Sequence, residues 1–380
     1  MAAIKSPRDI DIDLVHAQQA RRILDKLVGF ELTGLLWKKV KGQLSAGRVQ
    51  SVAVRLIVDK EREIQSFKPK SFFKINGVFK KGTHSVEAEL SKNIPSQKDA
   101  EDFLKKCMKA DFTVAAVEVK PHKKSPSPPF TTSTLQQLAG QKLGFSVSRT
   151  MSTAQRLYEQ GFISYMRTDS MNLSASALKN ISGFINKEFG EKYSKPRQFA
   201  KKSKNAQEAH EAIRPTYIDK THVSQDSDQQ KLYELIRART LASQMADALV
   251  EKTSINIDIS TEKKLQFIAK GEVILFDGYL KAYGHTKWYA QDDVLLPPLA
   301  HGDVLDYHDI TALERYTKAP TRYSEATLVK KLEELGIGRP STYAPTIAKI
   351  TSPTRGYISK ESREGIPTSF IQLVLKKGVI

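Results

Sequence analysis

Six consecutive residues, Tyr165-Met166-Arg167-Thr168-Asp169-Ser170, set a phenol, a permanent cation and a carboxylate side by side. That combination can attack a phosphodiester. A free phenol titrates near roughly 10, so about one molecule in a thousand is phenolate at neutral pH. A neighbouring guanidinium favours the phenolate and can also pair with charge building on a phosphoryl oxygen. Farther along, His210-Glu211-Ala212-Ile213-Arg214-Pro215-Thr216 brings an imidazole and a second arginine into one short segment. Tyr-x-Arg alone is common on structural strands, so the chemistry rests on what surrounds it.

The surroundings favour a polyanionic partner. Lys plus Arg number 60 against 42 Asp plus Glu, a formal charge of +18, which draws in nucleic acid and makes such binding salt-sensitive. Cations cluster beside the motifs, as in Arg21-Arg22, Lys38-Lys39 and the run from Lys195 to Lys204. A single cysteine, Cys107, excludes an intramolecular disulfide and a cysteine-based zinc site. No apolar run approaches the roughly 18 to 20 residues of a membrane span and no signal peptide leads the chain, so a cytoplasmic, non-membrane protein is expected.

Positioning these groups requires elements, and the periodicities supply them. Residues 1–67 read as two amphipathic helices, with Leu14, Ala20, Ile23, Leu24, Leu27 and Val28 on one and Val49, Val52, Ala53, Leu56 and Ile57 on the other. Alternation from Phe72 to Leu90 about Gly82 predicts paired strands, followed by a helix over Gln97–Met108 and a strand over Phe112–Val119. Four prolines between Pro121 and Pro129 predict a hinge that continues neither sheet nor helix. Residues 130–250 read as helical: Leu135, Leu138 and Leu143 line one helix, Gly144 breaks it, Ser148 caps the next, and Gly161 ends it. That is a helix-turn-helix followed by the strand carrying Tyr165. Alternation returns from Ser254 to Tyr283, predicting that this stretch rejoins residues 69–120 and makes the helical block an insertion.

The pattern occurs twice. Thr134-Leu135, Leu143-Gly144, Thr150 and Gly161-Phe162-Ile163-Ser164 parallel Thr327-Leu328, Leu335-Gly336, Thr342 and Gly356-Tyr357-Ile358-Ser359, with Lys360 in the place of Tyr165. Two DNA-facing units are expected, of which one is reactive.

Gly161-Phe162-Ile163-Ser164-Tyr165-Met166-Arg167-Thr168-Asp169-Ser170, the segment from His210 to Thr216, Leu44-Ser45-Ala46-Gly47-Arg48-Val49-Gln50-Ser51 and Gly336-Ile337-Gly338-Arg339-Pro340-Ser341-Thr342-Tyr343 stand in one order along the chain. Together they resemble the motifs of the type IA DNA topoisomerases, within that family the bacterial topoisomerase I group, from about Pro7 to Ser359. The resemblance implies a multidomain α+β gate. Its helix-turn-helix domains, CAP-like, are joined by a β-rich hinge domain. The expected divisions are 1–68, a helical part of the gate; 69–124 plus 252–283, the hinge domain; 125–251, the nucleophile domain; and 284–380, a second helix-turn-helix part. The 125–251 block is expected to make limited contact with 1–67 and 284–380, so that it can swing.

The resemblance also distributes roles. Tyr165 would attack single-stranded DNA, leaving a 5'-phosphotyrosyl intermediate and a free 3'-hydroxyl, with Arg167 stabilising the phosphorane. Asp169 and His210 resemble the family's carboxylate and imidazole pair beside it. Arg21, Arg22, Lys26, Arg48, Arg214 and Arg339 are expected on the DNA path with Thr168. Phe30 offers a stacking face to a base, and Ser341 and Thr342 offer hydroxyls to a phosphate.

Relatives begin with an acidic Toprim domain that binds Mg2+ and carry C-terminal zinc ribbons. Neither is recognisable here, and Asp9, Asp11 and Asp13 do not replace the magnesium ligands. The resemblance thus implies a monomeric piece of a longer nucleoid enzyme, without a metal of its own and inactive in relaxation by itself. Two other readings stay open: a topoisomerase III or reverse gyrase relative, against which Met166 speaks, and a non-catalytic single-stranded DNA-binding module.

Overall fold

A computed structural model describes residues 9–199, 210–284, 294–354, 356–365 and 367–380. The part of the Lys195 to Lys204 run beyond Phe199 lies outside the described residues, as do Met1 and Pro7.

Two helices come first, α1 (Ile12–Lys39) and α2 (Arg48–Ser66). Asp11 caps α1 by accepting the Leu14 N–H at 3.0 Å. No residue of α1 is buried, and Ile23, Leu24 and Leu27 are about half exposed. The apolar periodicity there predicts the helix correctly but not its burial, since periodicity records a face without naming what covers it. Helix α2 does pack, through Ala53, Val54, Leu56 and Ile57, into a cluster with Ile347 and Ile350.

The β-rich part is a single antiparallel sheet. Its strands are β1 (Ser71–Lys81), β2 (His84–Leu90), β3 (Phe112–Lys124), β4 (Ala248–Ile259), β5 (Gln266–Phe276), β6 (Val304–Tyr316) and β7 (Gln372–Lys376). Their order is β1-β2-β5-β4-β3-β6, and β6 pairs back onto β1, so six strands close into a barrel with β7 added along β6. Closure leaves edges only along β7 and where neighbouring strands part, as on the far half of β3. Helix α3 (Gln97–Cys107) contributes Ala100, Phe103, Leu104 and Cys107 to the barrel core, where Phe73, Phe79, Phe112 and Phe267 interlock. Burial pushes the Cys107 thiol up to about 12, so it packs as an apolar side chain.

Two expectations need correction here. Residues 304–316 and 372–376, expected with the second helical unit, belong to this sheet, because strand partners are chosen over long sequence separations that local alternation does not encode. Pro121 was expected to end its strand, yet β3 runs on to Lys124 opposite β4. Since β6 pairs with β3 only at Phe112 and Thr113, the far half of β3 is an edge, where a proline's missing N–H is tolerated. The irregular stretch starts only at Ser125.

Between β3 and β4 the chain leaves the barrel to form the helical block: α4 (Thr132–Leu143), α5 (Val147–Glu159), α6 (Ala175–Phe189) and α7 (Ser227–Ser243). Its core joins Leu135, Ala139, Leu157, Leu232, Leu235 and Ile236. Each such leucine or isoleucine side chain contributes roughly 1.5–3 kcal/mol on burial. The cap of α5 is Ser146, whose hydroxyl accepts the Arg149 N–H at 3.1 Å, rather than Ser148. The second unit is α8 (Glu325–Glu334) and α9 (Tyr343–Ile350).

The block does not stand clear of this second unit. Helix α4 lies on α8 so closely that a Cβ on Gly140 would sit 3.3 Å from the Ala326 Cβ. Val147 packs among Leu328, Val329 and Ile347, and its N–H donates to Glu325 Oε2 at 2.7 Å. The expected limited contact is thus replaced by a seated interface, built where small residues let two helices approach.

Candidate active site

Tyr165 follows α5 by one turn of chain. Gly161, at φ 75°, reverses the helix end, and the Phe162 N–H returns to the Leu157 carbonyl at 2.9 Å. Ile163 then pairs antiparallel with Pro215, Ser164 N–H donates to the Arg214 carbonyl at 2.9 Å, and Ser164 Oγ donates to the Ala212 carbonyl at 2.8 Å. These bonds bring the two motifs together although they are far apart in sequence.

Beyond Ser164 the chain pairs with no strand among the described residues, and Thr132 takes over. Its hydroxyl donates to the Met166 carbonyl at 2.7 Å and accepts the Thr168 N–H at 2.9 Å, while its own N–H donates to the Thr168 carbonyl at 2.9 Å. Met166 and Thr168 are buried, and Arg167 between them is exposed. The half-buried Tyr165 ring lies 5.2 Å from the His210 ring and 5.3 Å from that of Tyr158, centroid to centroid. Tyr158 stands outside the motifs. Its position near the end of α5 was visible, but the turn-back that brings Tyr165 beside it was not.

Asp169 lines a cleft of about 340 Å³ between the helical block and the second unit, with Ser133, Thr168, Glu333, Arg339 and Tyr343. Burial, reinforced by the Glu333 charge, pushes the Tyr343 phenol up to about 12, so it is a neutral wall of that cleft. Thr168, expected on the DNA path, has its hydroxyl engaged by the Ser170 N–H at 3.0 Å and is 2% exposed, which makes it a brace for the loop.

The arginines divide. Arg214 is held inward by Glu211, with Nη2 to Oε2 at 2.6 Å, and Glu211 also accepts the Ser174 N–H at the start of α6. Burial works to raise the Glu211 carboxyl, but the Ser174 hydrogen bonds and the Arg214 charge outweigh it and hold the group below its ordinary range. Arg214 therefore fastens the second motif rather than reaching out freely. Arg339 is exposed, its N–H on Thr342 Oγ1 at 2.8 Å and its Nη1 on the Gly338 carbonyl at 2.8 Å. Thr342 thus spends its hydroxyl on that turn, while Ser341 stays exposed.

Arg21, Arg22, Lys26 and Phe30 do come together, on α1, in an open groove of about 820 Å³ completed by Trp37, Ser45 and Lys349. Phe30 is 75% exposed. Trp37 Nε1 donates to the Leu44 carbonyl at 2.7 Å, and the Ser45 carbonyl accepts from Gln50 and from the Tyr357 hydroxyl at 2.9 Å, tying the Leu44–Ser51 motif to the second unit. Arg48 grips Asp25 through two bonds, and that guanidinium holds the Asp25 carboxyl below its ordinary range. Among the described residues no group of three or more His, Cys, Asp or Glu could hold a metal ion. Nor, among them, is any helix long and apolar enough to cross a membrane.

The sequence matches the DNA topoisomerase family model over residues 9–377. It is 44% identical to DNA topoisomerase 1 of Rickettsia felis over 398 residues, covering 98% of this chain and 51% of that protein. Against DNA topoisomerase 1 of Campylobacter jejuni it is 42% identical over 386 residues, covering 96% and 54%. The chain therefore spans about half the length of these relatives. In three dimensions it resembles full-length topoisomerase I from Thermotoga maritima, with a TM-score of 0.77 at 38% identity over 95% of this chain and 60% of that one. A family match over almost the whole sequence and a shared fold at that identity lead to one conclusion: the chain belongs to the DNA topoisomerase family, in its type IA topoisomerase I branch.

Proposed function

We propose that this chain carries the nucleophile and DNA-gripping parts of a topoisomerase I that relaxes negatively supercoiled DNA through transient breakage of one strand. The observation that carries the reading is the placement of the half-buried Tyr165 ring against His210 and Tyr158, with exposed Arg167 two residues on. Tyr165 Oη attacks a backbone phosphorus, the bond from phosphorus to the 3'-oxygen breaks, and that oxygen leaves as a hydroxyl after gaining a proton. A 5'-phosphotyrosyl bond stores the phosphodiester energy, so resealing needs no nucleotide cofactor. Arg167 offsets the charge on the phosphorane, and His210, its ring beside that of Tyr165, serves the phenol's proton.

The DNA enters single-stranded along the α1 groove, where Arg21, Arg22 and Lys26 meet phosphates and Phe30 stacks on a base. Arg48, Arg339 and Ser341 extend that path toward the cleft holding Asp169. Residues 125–251 act as the gate, swinging on the barrel through the segment from Ser125 to Pro129, and the α4–α8 contact is its closed position. The working protein is a monomer of the bacterial cytoplasm and nucleoid, and its Mg2+ requirement rests on a domain outside these residues.

Relaxation of a negatively supercoiled plasmid by the full-length protein, with Mg2+ and without ATP, tests the reading. Activity that disappears in Tyr165→Phe while single-stranded DNA binding persists is expected. Relaxation that survives Tyr165→Phe would refute it.

A further inference from the structure

We infer that Thr132 is a positioning residue for Arg167, an inference that rests on the proposed cleavage function. Residues 166–168 lie in an irregular loop past the last strand-like pair, and among the described residues their main-chain hydrogen bonds run to Thr132. One hydroxyl there donates to the residue before Arg167 and accepts from the residue after it, and the Thr132 N–H adds a third bond to the Thr168 carbonyl. Thr132 is wholly buried, and so are the Met166 and Thr168 side chains on either side of the exposed guanidinium. The arginine's backbone is therefore fixed from both flanks by one side chain.

Thr132 is also the first residue of α4, the helix seated on α8. Its N-terminus is itself held rigid by a reciprocal cap, in which Thr131 and Thr134 exchange hydrogen bonds. The guanidinium is thus indexed to the helix that forms the closed gate contact. Pre-set donors matter because misplacing a catalytic group by about 1 Å can cost on the order of 100-fold in rate. A residue acting through Arg167 should influence cleavage only when Arg167 is present.

The test measures covalent adduct formation on a single-stranded oligonucleotide by the full-length protein, alongside oligonucleotide binding. Thr132→Val keeps the shape and removes the hydroxyl. It is expected to slow adduct formation by about 10- to 100-fold with binding changed by less than about 3-fold, whereas Thr132→Ser stays within about 3-fold of the unmodified protein. Combined with Arg167→Ala, Thr132→Val should add no further loss, which a merely structural role would not produce. Full-rate cleavage by Thr132→Val, or losses that multiply in the double variant, would overturn the inference. If Thr132→Val does not fold, a Thr132→Ser protein as impaired as Thr132→Ala would overturn it equally. Absence of adduct in the unmodified protein would instead sink the cleavage function itself, and this inference with it.

Discussion

The chain contains two helix-turn-helix units built to one plan, and the proposed function places the nucleophile on only one of them. Both open on the same reciprocal cap, Thr131 with Thr134 and Ser324 with Thr327. Their first helices both end at a glycine of φ 68°, Gly144 and Gly336. They part company afterwards. The first unit has a 13-residue second helix, and its Gly161–Ser164 segment finds a partner in residues 212–216. The second has an 8-residue helix after the longer Gly336–Thr342 turn, and its chain returns to the Ile350 carbonyl without a comparable strand partner among the described residues.

What stands at the end of each segment differs accordingly. Tyr165 lies against His210, whereas Lys360 pairs with Glu325 at 2.7 Å. Glu325 in turn accepts the N-terminal amide of α5, so the second unit uses the equivalent position to latch onto the first. Burial raises the phenols of two tyrosines of the second unit, Tyr343 to about 12 and Tyr357 against the lowering effect of the Ser45 carbonyl it bonds. A shared scaffold thus carries different side chains to equivalent positions, and the neighbouring segment decides what each one meets.

The comparison is broken most severely at the nucleophile. Tyr165→Phe should abolish adduct formation, a loss beyond about 1,000-fold, since the group that forms the bond is gone. Lys360→Ala should leave the chemical step within about 3-fold, because it removes a latch and no reacting group. Rapid-quench cleavage of single-stranded DNA measures both, and a Lys360→Ala protein as dead as Tyr165→Phe would erase the distinction. Arg167→Ala should cost about 100- to 1,000-fold, the range for removing one preorganised donor at developing charge, with Arg167→Lys recovering part of it.

A smaller effect concerns where the reactive unit joins the barrel. Asp247, just before β4, is 5% exposed and is met by Lys195, Arg197 and Lys123 at 2.8, 2.8 and 3.0 Å. Burial works to raise its carboxyl, but the hydrogen bonds from Lys195, Lys123 and Ser125 and the Arg197 charge hold it far below the ordinary range. A depressed carboxyl contributes stability above its unfolded value, near about 4, and loses it as pH falls through the folded value. Asp247→Asn should therefore destabilise by about 3 kcal/mol at pH 7. The gap from the unmodified protein should narrow as the buffer is taken well below pH 3. Chemical denaturation at several pH values checks this, and a gap that widens in acid would contradict the sign. The Glu325–Lys360 latch is more exposed, so Glu325→Gln should loosen the α4–α8 contact by no more than about 1 kcal/mol. Hydrogen exchange in α5 that speeds up would register it.

Much of this was legible in the sequence because it is local. Caps, terminating glycines and helical spacing place α4, α5, α8 and α9 within a few residues, and the alternation about Gly82 gives β1 and β2. Barrel closure by β6 was not legible, since Val304–Tyr316 must find β1 across more than two hundred residues and its own alternation does not say which strand it joins. Burial was misjudged wherever a periodic face lacks a cover, as on α1. Among site residues, Tyr165, Arg167 and His210 announce themselves by type, whereas Thr132 is one hydroxyl in a run of four Ser and Thr residues, and only the loop it holds gives it meaning. Thr168 and Arg214 illustrate the converse: residue type predicts an outward contact, and the local hydrogen bonds turn each one inward.

The central claim is that chemistry resides on one of two similar units, and mapping the attachment point tests it most directly. Full-length protein is trapped on a single-stranded oligonucleotide by denaturation, digested, and the DNA-bearing peptide sequenced by mass spectrometry. The account predicts a 5'-phosphate ester on Tyr165, with Tyr158, Tyr343 and Tyr357 unmodified. Attachment at any of those three, or through a 3'-phosphate, would contradict it.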